Sequence, residues 1–278
     1  MSFLLPKSQE RPNQRPPRRV EPASIIAVGS GKGGVGKTFM SITLASAMAQ
    51  AGKRTLLVDG DLGRAKVDAQ RGIAPETDLA AVIAGGGELE EAVTPVDGGS
   101  ASGGFDVLPG RSGSGALAEL SSEEVARLAA GLSALALQYD QVILDLGAGI
   151  EANCMRLARA ADKVLMVITD EPTSMTDAYA FIKVLKGYAP SVEQTIAINQ
   201  CETRSAGQNT YSAVAQACQT FLGFRPPLAG TVMRDDAVRE AIRSQRTLIS
   251  TNASSQPIQD VIAIAHTLLG RTGQDLHS

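Results

Sequence analysis

The sequence predicts a three-layer α/β fold built on a mainly parallel central sheet of about seven to eight strands. Short apolar runs alternate with longer segments of helical spacing from residue 24 onwards. Several of these runs are apolar at successive positions, which is typical of strands covered by helices on both faces. The chain has 278 residues and 44% hydrophobic content, which is enough for one large domain with a packed core.

The elements can be assigned in order from these patterns. The predicted strands are SIIAVGS, RTLLVDG, FDVLPG, QVILDLG, KVLMVIT, TIAINQ and LAGTVM. Helical spacing is found over residues 38–51, 121–138, 151–160, 173–187, 206–221, 234–244 and 257–269. The stretch 84–104 contains GGG and GGSASGG, so we predict a flexible surface loop there.

The two ends of the chain differ in composition from the middle. Residues 1–22 contain five prolines and five basic side chains, which predicts a disordered tail. The apolar stretch near the start has no charged segment before it, so it does not read as a signal peptide. We expect a domain over residues 23–270, a flexible tail over 271–278, and a cytoplasmic protein. No apolar run reaches the roughly 18 residues that would suggest a transmembrane helix.

Charge and cysteine content narrow the range of functions. The formal net charge is -3 and the pI is near 5.5, which makes nucleic acid an unlikely partner. The three cysteines, Cys154, Cys201 and Cys218, are widely spaced and form no metal-binding pattern. We expect them to be small buried hydrophobic residues.

The segment GKGGVGKT lies between the first predicted strand and the first predicted helix. It fits the phosphate-loop pattern GxxxxGK[ST], in which glycines allow backbone N–H groups to face a phosphate. This motif makes the predicted fold that of a P-loop NTPase, with a nucleoside triphosphate and Mg²⁺ as ligands. The lysine that closes the motif supplies charge to the outer phosphates, and the threonine after it ligates Mg²⁺. The residues expected to bind the nucleotide here are Gly31, Lys32, Gly33, Gly34, Val35, Gly36, Lys37, Thr38 and Phe39.

Aspartates follow two of the predicted strands. Asp59 and Asp61 end the run LLVDGDLG, and Asp145 ends the run QVILDLG before Gly147 and Gly149. Strand ends beside a phosphate loop are where Mg²⁺ and an attacking water need oxygen ligands. An aspartate at a strand end also serves as a turn former or a helix cap, so each alone has a structural interpretation as well.

The form KGGVGKT, with a second lysine after the first glycine, resembles the deviant Walker A ATPases of the MinD/ParA class. The resemblance implies that Lys32 reaches the nucleotide of the facing subunit in an ATP-bound homodimer. It also implies a slow, Mg²⁺-dependent ATPase, in which Asp61 orients the hydrolytic water. On this basis the catalytic residues are Lys32, Lys37 and Asp61, and the Mg²⁺ site is formed by Thr38, Asp59 and Asp145.

Three further segments, DEPTSMTDAYAFIKVLKG, VDGDLGRAKVD and RDDAVREAIRSQR, resemble the flagellar number regulators of the FlhG/FleN/YlxH branch. The resemblance implies a role in flagellar number or placement. The partners that it implies are an SRP-type GTPase, switch-complex proteins or a flagellar transcription regulator. It maps base recognition onto Asn199 and, loosely, Arg234. An amide can read the adenine edge, but Asn199 could equally cap the turn after TIAI.

The chain departs from this branch in two places. It has QERPNQRPPRR where several members carry a DQAxxLR helix that activates a GTPase, and Met233 where the family has proline. The last helix lacks basic flanks, so packing on the domain is favoured over membrane binding, although the class can locate to the membrane or cell pole in its ATP state. ParA-like or MinD-like positioning of other cargo, and a nucleotide-sensing scaffold without hydrolysis, remain alternatives.

Overall fold

The computed structural model describes residues 23–61, 79–85, 87–110, 121–236 and 254–270, together with residues 67, 77 and 238. Its centre is an eight-stranded sheet with the order β3-β4-β2-β5-β1-β6-β7-β8. The strands are β1 (Ser24–Ser30), β2 (Thr55–Gly60), β3 (Thr94–Val96), β4 (Phe105–Leu108), β5 (Gln141–Ala148), β6 (Lys163–Ile168), β7 (Glu193–Cys201) and β8 (Leu228–Met233).

The helices of the described residues follow the predicted segments closely. They are α1 (Lys37–Gln50), α2 (Leu79–Gly85), α3 (Ser122–Ala136), α4 (Ala152–Arg159), α5 (Pro172–Tyr188), α6 (Arg204–Leu222) and α7 (Gln256–Leu268). Helix α2 was not predicted. The predicted helix over 234–244 lies mostly outside the described residues, as do the predicted tails over 1–22 and 271–278.

The three-layer prediction is confirmed, because a hydrophobic core lies on each face of the sheet. One core joins the sheet to α3, α4, α5 and α6, and the other joins it to α1 and α7. Successive residues of β1 alternate between the two, so that Ala27 packs in the first core and Val28 in the second, both fully buried. This double coverage explains why the strands are apolar at successive positions.

The prediction of a flexible loop over residues 84–104 is wrong for part of that stretch. Leu89–Ala92 forms a short 3₁₀ helix, and Thr94–Val96 pairs antiparallel with β4 at the edge of the sheet. Both elements lie in a glycine-rich stretch, whose composition predicts a loop. The buried side chains of Leu89 and Val96 anchor them to the cores, which a composition-based interpretation does not detect.

The last helix, α7, packs on the domain as predicted. Ile258, Val261 and Ile264 are fully buried and form part of the core shared with α1. Within the residues that the structure describes, no helix combines the length and the apolar character needed to cross a bilayer.

A buried aspartate connects α7 to helix α6 and to strand β8. The side chain of Asp260 is 4% exposed and forms an ion pair with Arg204 of α6. It also accepts hydrogen bonds from the backbone N–H of Met233 and from Nε2 of Gln256, both at 2.9 Å. Three elements therefore meet at one carboxylate.

Replacing Asp260 by alanine should lower the free energy of unfolding by about 2–4 kcal/mol, because the N–H of Met233 loses its acceptor and Arg204 loses its buried charged partner. Urea unfolding of the purified protein measures this. The matched control is Glu193→Ala, which removes an exposed ion pair with Lys163 and should cost less than about 1 kcal/mol. Equal losses in the two variants would contradict the assigned role of Asp260.

Candidate nucleotide site

The phosphate loop connects the central strand β1 to helix α1 at the carboxyl end of the sheet. Its backbone needs glycine at two positions, since Gly34 and Gly36 have φ of 83° and 95°. The side chain of Val35 between them is 3% exposed and anchors the loop in the core. The N–H groups of the loop and the first turn of α1 form a cradle suited to an anion.

Close packing requires glycine at position 31 and gives a second reason for glycine at position 36. A Cβ atom on Gly31 would lie 2.1 Å from the backbone carbon of Asp177 in α5. One on Gly36 would lie 2.3 Å from Nδ2 of Asn199. By contrast, a Cβ atom on Gly33 would meet nothing within 4 Å, so packing does not require glycine there.

Lys37 and Thr38 sit at the start of α1 beside a buried carboxylate. Lys37 is 9% exposed, and Asp145 is 1% exposed. Asp145 accepts hydrogen bonds from Thr38 and from Oγ of Ser41, the latter at 3.0 Å. Burial raises the pKa of Asp145 to about 6, although Thr38, Lys37 and Ser41 oppose the shift. A cation bound here would stabilise the charged carboxylate.

Asp59 and Asp61 reach the same site from the neighbouring strand. Asp59 is the register partner of Asp145 across the β2–β5 pair and is 1% exposed. Its two oxygens accept the backbone N–H groups of Asp61, at 3.3 Å, and of Val67, at 2.9 Å. Asp59 therefore also holds the chain that presents Asp61.

Asp61 is half-buried and faces the end of β5. Its Oδ1 would lie 3.3 Å from a Cβ on Gly147, so glycine there leaves room for the carboxylate. Gly147 belongs to strand β5, and Gly149 beyond it, at φ 91°, donates its N–H to the carbonyl of Ser30 at 2.9 Å. The segment after Asp145 is thus tied to the end of β1.

The residues at this site fit Mg²⁺ bound with a nucleotide. Among the described parts of the chain, no three His, Cys, Asp or Glu side chains converge to hold a metal by themselves. Mg²⁺ commonly keeps several waters and takes the rest of its oxygens from one or two side chains and the phosphates. Thr38 would be the direct ligand, and Asp145 and Asp59 would hold the waters.

A pocket beside the loop suits the base. It has a volume of about 270 Å³, and its lining includes Asn199 and Arg234, the two residues predicted to recognise the base. Arg234 lies at its edge, where it pairs with Glu202 at 2.9 Å and donates its backbone N–H to Cys201. The lining residues are Gly34, Gly36, Phe39, Asn199, Gln200, Val232, Met233, Arg234, Asp235, Asp236 and Val238.

Asn199 makes a contact that was not predicted by either role considered for it, base recognition or capping of a turn. Strand β7 continues to Cys201, so no turn directly follows TIAI for Asn199 to cap. Its Nδ2 donates to the carbonyl oxygen of Val35 in the phosphate loop at 2.8 Å. Base recognition by Asn199 stays a prediction, and its position in the pocket is compatible with it.

Lys32 lies outside the cradle and does not point freely into solvent. Its Nζ forms an ion pair with Glu171, the residue before α5, and a 3.0 Å hydrogen bond with Oγ1 of Thr173. Its backbone is held by Oγ of Ser30, which donates to the Lys32 carbonyl at 2.7 Å. The two lysines of the motif therefore occupy different environments, one buried beside Asp145 and one at the surface.

Sequence reasoning missed Ser41, Glu171 and Gln200. Ser41 follows Lys37 by one helical turn, so the helical period could have placed it on the same face. The sequence carried no such signal for Glu171 and Gln200. Glu171 follows strand β6 and Gln200 lies near the end of β7, and the order of strands in the sheet brings both close to the loop.

The cysteines are buried, as predicted. Cys154 lies near the site, with its Sγ 3.4 Å from the carbonyl oxygen of Gly147. Burial raises the pKa of its thiol to about 12, and burial also raises the pKa of Cys201 and Cys218 to about 11. Such thiols stay protonated and unreactive at neutral pH.

Comparison with known proteins shows the family of this chain. Residues 23–198 match the family model described as an AAA domain. The antiactivator FleN of Pseudomonas aeruginosa is 36% identical over 229 residues, which cover 82% of this chain and 80% of that protein. The flagellum site-determining protein YlxH of Helicobacter pylori is 32% identical over 58% of this chain and 53% of that protein.

A solved structure shows the same fold. The septum site-determining protein MinD of Pyrococcus horikoshii, determined as a complex with Mg-ADP, superposes with a TM-score of 0.74 at 23% identity, covering 88% of this chain and 96% of that one. The phosphate loop, the paired strand-end aspartates and these relatives agree with one another. The chain belongs to the AAA-domain family of MinD/ParA-type P-loop ATPases, near the FlhG (FleN/YlxH) flagellar branch.

Proposed function

We propose that this protein is a switch that dimerises when it binds ATP, hydrolyses it slowly with Mg²⁺ and thereby regulates the number or placement of flagella. The observation that carries the proposal is the separation of the two loop lysines. Lys37 is buried in the cradle beside Asp145, whereas Lys32 lies at the surface, held by Glu171. A surface cation is available to a second subunit, and a buried one is not.

The chemistry proposed for the site is phosphoryl transfer to water. Loop N–H groups and Lys37 would hold the outer phosphates, and Thr38 would ligate Mg²⁺. Asp61, half-buried at the end of β2, would orient the attacking water. Such a reaction needs positioning and charge neutralisation more than covalent chemistry, so these few groups suffice.

Lys32 would act on the nucleotide of the second subunit. A triphosphate attracts a cation across an interface more strongly than a diphosphate, so nucleotide state would set oligomeric state. To reach across, Lys32 must leave Glu171 and Thr173. The contact within one chain thus competes with the contact between chains, and it should raise the ATP-bound dimer's dissociation constant.

With Asp61→Ala present to block turnover, Lys32→Ala should stay monomeric in Mg-ATP yet bind the nucleotide within a few-fold of the parent. Glu171→Gln should tighten the dimer by up to about 5-fold per subunit, the effect of a surface ion pair worth at most about 1 kcal/mol. Sedimentation velocity over a protein concentration series measures both. Glu193→Gln is the matched control, since it removes another ion pair, with Lys163, at the amino ends of β6 and β7, away from the phosphate loop.

Two results would contradict this account. If the Asp61→Ala protein stayed monomeric with Mg-ATP at all concentrations, the dimerising switch would be refuted. If Lys32→Ala and Lys37→Ala lost nucleotide affinity to the same extent, the division of labour between the two lysines would be refuted.

The flagellar role rests on FleN and YlxH, whose names describe an antiactivator and a flagellum site-determining protein. Its proposed partners are an SRP-type GTPase, switch-complex proteins or a flagellar transcription regulator, with peripheral location at the membrane or cell pole in the ATP state. A deletion strain with unchanged flagellar number and placement would refute this role and leave the ATPase intact.

A second candidate is MinD-like or ParA-like positioning of another cargo. It is favoured by MinD of Neisseria meningitidis, which is 28% identical over 87% of this chain. ATP-dependent gel shift of non-specific DNA would favour the ParA form of this role. The formal net charge of -3 counts against it.

A further inference from the structure

Strand β7 contains an irregularity where it passes the phosphate loop. Between Ile198 and Cys201 the strand takes three steps, while its partner β8 takes two, from Thr231 to Met233. Gln200, inside this bulge, has a left-handed φ of 60°, which is unusual for a residue other than glycine. Bulges of this kind re-aim side chains and occur often beside functional sites.

The bulge allows two neighbouring side chains to contact the same loop. In a regular strand, successive side chains point to opposite faces of the sheet. Here Nδ2 of Asn199 donates to the carbonyl of Val35 at 2.8 Å, and Nε2 of Gln200 lies 3.4 Å from the carbonyl of Gly34. Two consecutive loop carbonyls therefore face two consecutive amides.

These two contacts supply donors to carbonyl groups of the loop. When loop N–H groups turn towards a phosphate, the intervening carbonyls point elsewhere and need donors. Asn199 is 4% exposed and fits against Gly36 so closely that a Cβ there would lie 2.3 Å from its Nδ2. Its position is determined by packing, so it can hold the loop in one shape.

We propose that Asn199 and Gln200 are positioning residues that hold the phosphate loop in its binding conformation before nucleotide arrives. The proposal rests on the nucleotide-binding function proposed above and adds a role separate from base recognition. A loop already in its bound shape loses less conformational entropy on binding, so affinity rises for any ligand that fills the cradle with phosphates.

The strained backbone of Gln200 makes the proposal testable apart from stability. Glycine adopts a φ of 60° without steric cost, so Gln200→Gly relieves strain while it removes the amide. We expect this variant to melt at the parental temperature or above and nevertheless to bind nucleotide more weakly. A purely structural role for Gln200 would not separate these two quantities.

The experiment measures dissociation constants by calorimetry for Mg-ATP, Mg-ADP and Mg-tripolyphosphate, the last of which has no base. Asn199→Ala should weaken all three by a similar factor, about 10-fold, the effect of one lost hydrogen bond. Gln200→Gly should weaken all three by about 3-fold, in keeping with its longer contact. Gln216→Ala, an exposed change on α6, is the control and should bind like the parent.

The outcomes separate the explanations. If Asn199→Ala lost affinity for ATP and ADP but kept it for tripolyphosphate, Asn199 would act on the base and its bracing role would be refuted. If Gln200→Gly bound all three ligands like the parent, the role of Gln200 would be refuted. If Asn199→Ala did not fold, Gln200→Gly would decide the proposal. Failure of the parent protein to bind any of the ligands would refute the proposed function itself.

Discussion

Lys37→Ala should lower the affinity for Mg-ATP by about 100-fold or more, because it removes charge-assisted hydrogen bonds worth about 1.5–3 kcal/mol each. The structure adds a second reason. Lys37 opposes the raised pKa of Asp145, so its loss should raise that pKa further and leave less carboxylate charge to hold the waters of Mg²⁺. The lost lysine charge and the weaker hold on Mg²⁺ both lower the affinity for Mg-ATP.

Isothermal titration calorimetry with Mg-ATP measures this loss. Lys183→Ala serves as the control, because it removes an exposed lysine of α5 outside the nucleotide site and should bind like the parent. Affinity within a few-fold of the parent in Lys37→Ala would mean that the backbone N–H groups alone bind the phosphates. The role given to Lys37 would then be wrong.

Asp61→Ala should reduce ATP turnover by about 100-fold or more, the range over which a positioned acid or base contributes to catalysis. Asp61 is half-buried, and its backbone is held by Asp59 independently of its side chain. Removing the side chain should therefore leave the fold, nucleotide binding and dimerisation in place. Asp61→Asn, which keeps the shape and removes the charge, should lose turnover to a similar extent.

Phosphate release at saturating Mg-ATP measures the turnover, with Glu193→Ala as a control at the amino end of β7, away from the nucleotide site. If the parent and Asp61→Ala were both near background, the protein would be a nucleotide-sensing scaffold without significant hydrolysis. If instead the parent were active and Asp61→Ala had the same turnover, a residue other than Asp61 would orient the attacking water.

The fold could be predicted where it depends on contiguous residues. Seven of the eight strands of the sheet correspond to predicted apolar runs, because a strand covered on both faces leaves a continuous apolar signature. Strand β3 was missed, since three residues, TPV, at the edge of the sheet have no such signature. Its antiparallel pairing with β4 depends on a turn that follows it, not on its own composition.

The candidate site also has parts that contiguous residues predict and parts that depend on packing. Glycine, lysine and threonine spacing in residues 31–38 specifies a strand, a loop and a helix that are consecutive in the chain. The aspartates at 59, 61 and 145 were predicted because parallel strands end at one edge of the sheet. The hydrogen bond of Thr38 and Ser41 to Asp145, and the pKa raised to about 6 that accompanies it, required the packed structure.

By itself the sequence determined the phosphate loop, the order of strands and helices along the chain, and the presence of two loop lysines. Only the tertiary structure decided what surrounds them. Lys32 meets Glu171 139 residues away, and Asn199 meets Val35 164 residues away, because β6 and β7 follow β1 in the sheet order. The two loop lysines belong to one motif but lie in different environments. The burial and the partners of each lysine depend on the order of strands in the sheet, which the spacing of residues within the motif does not encode.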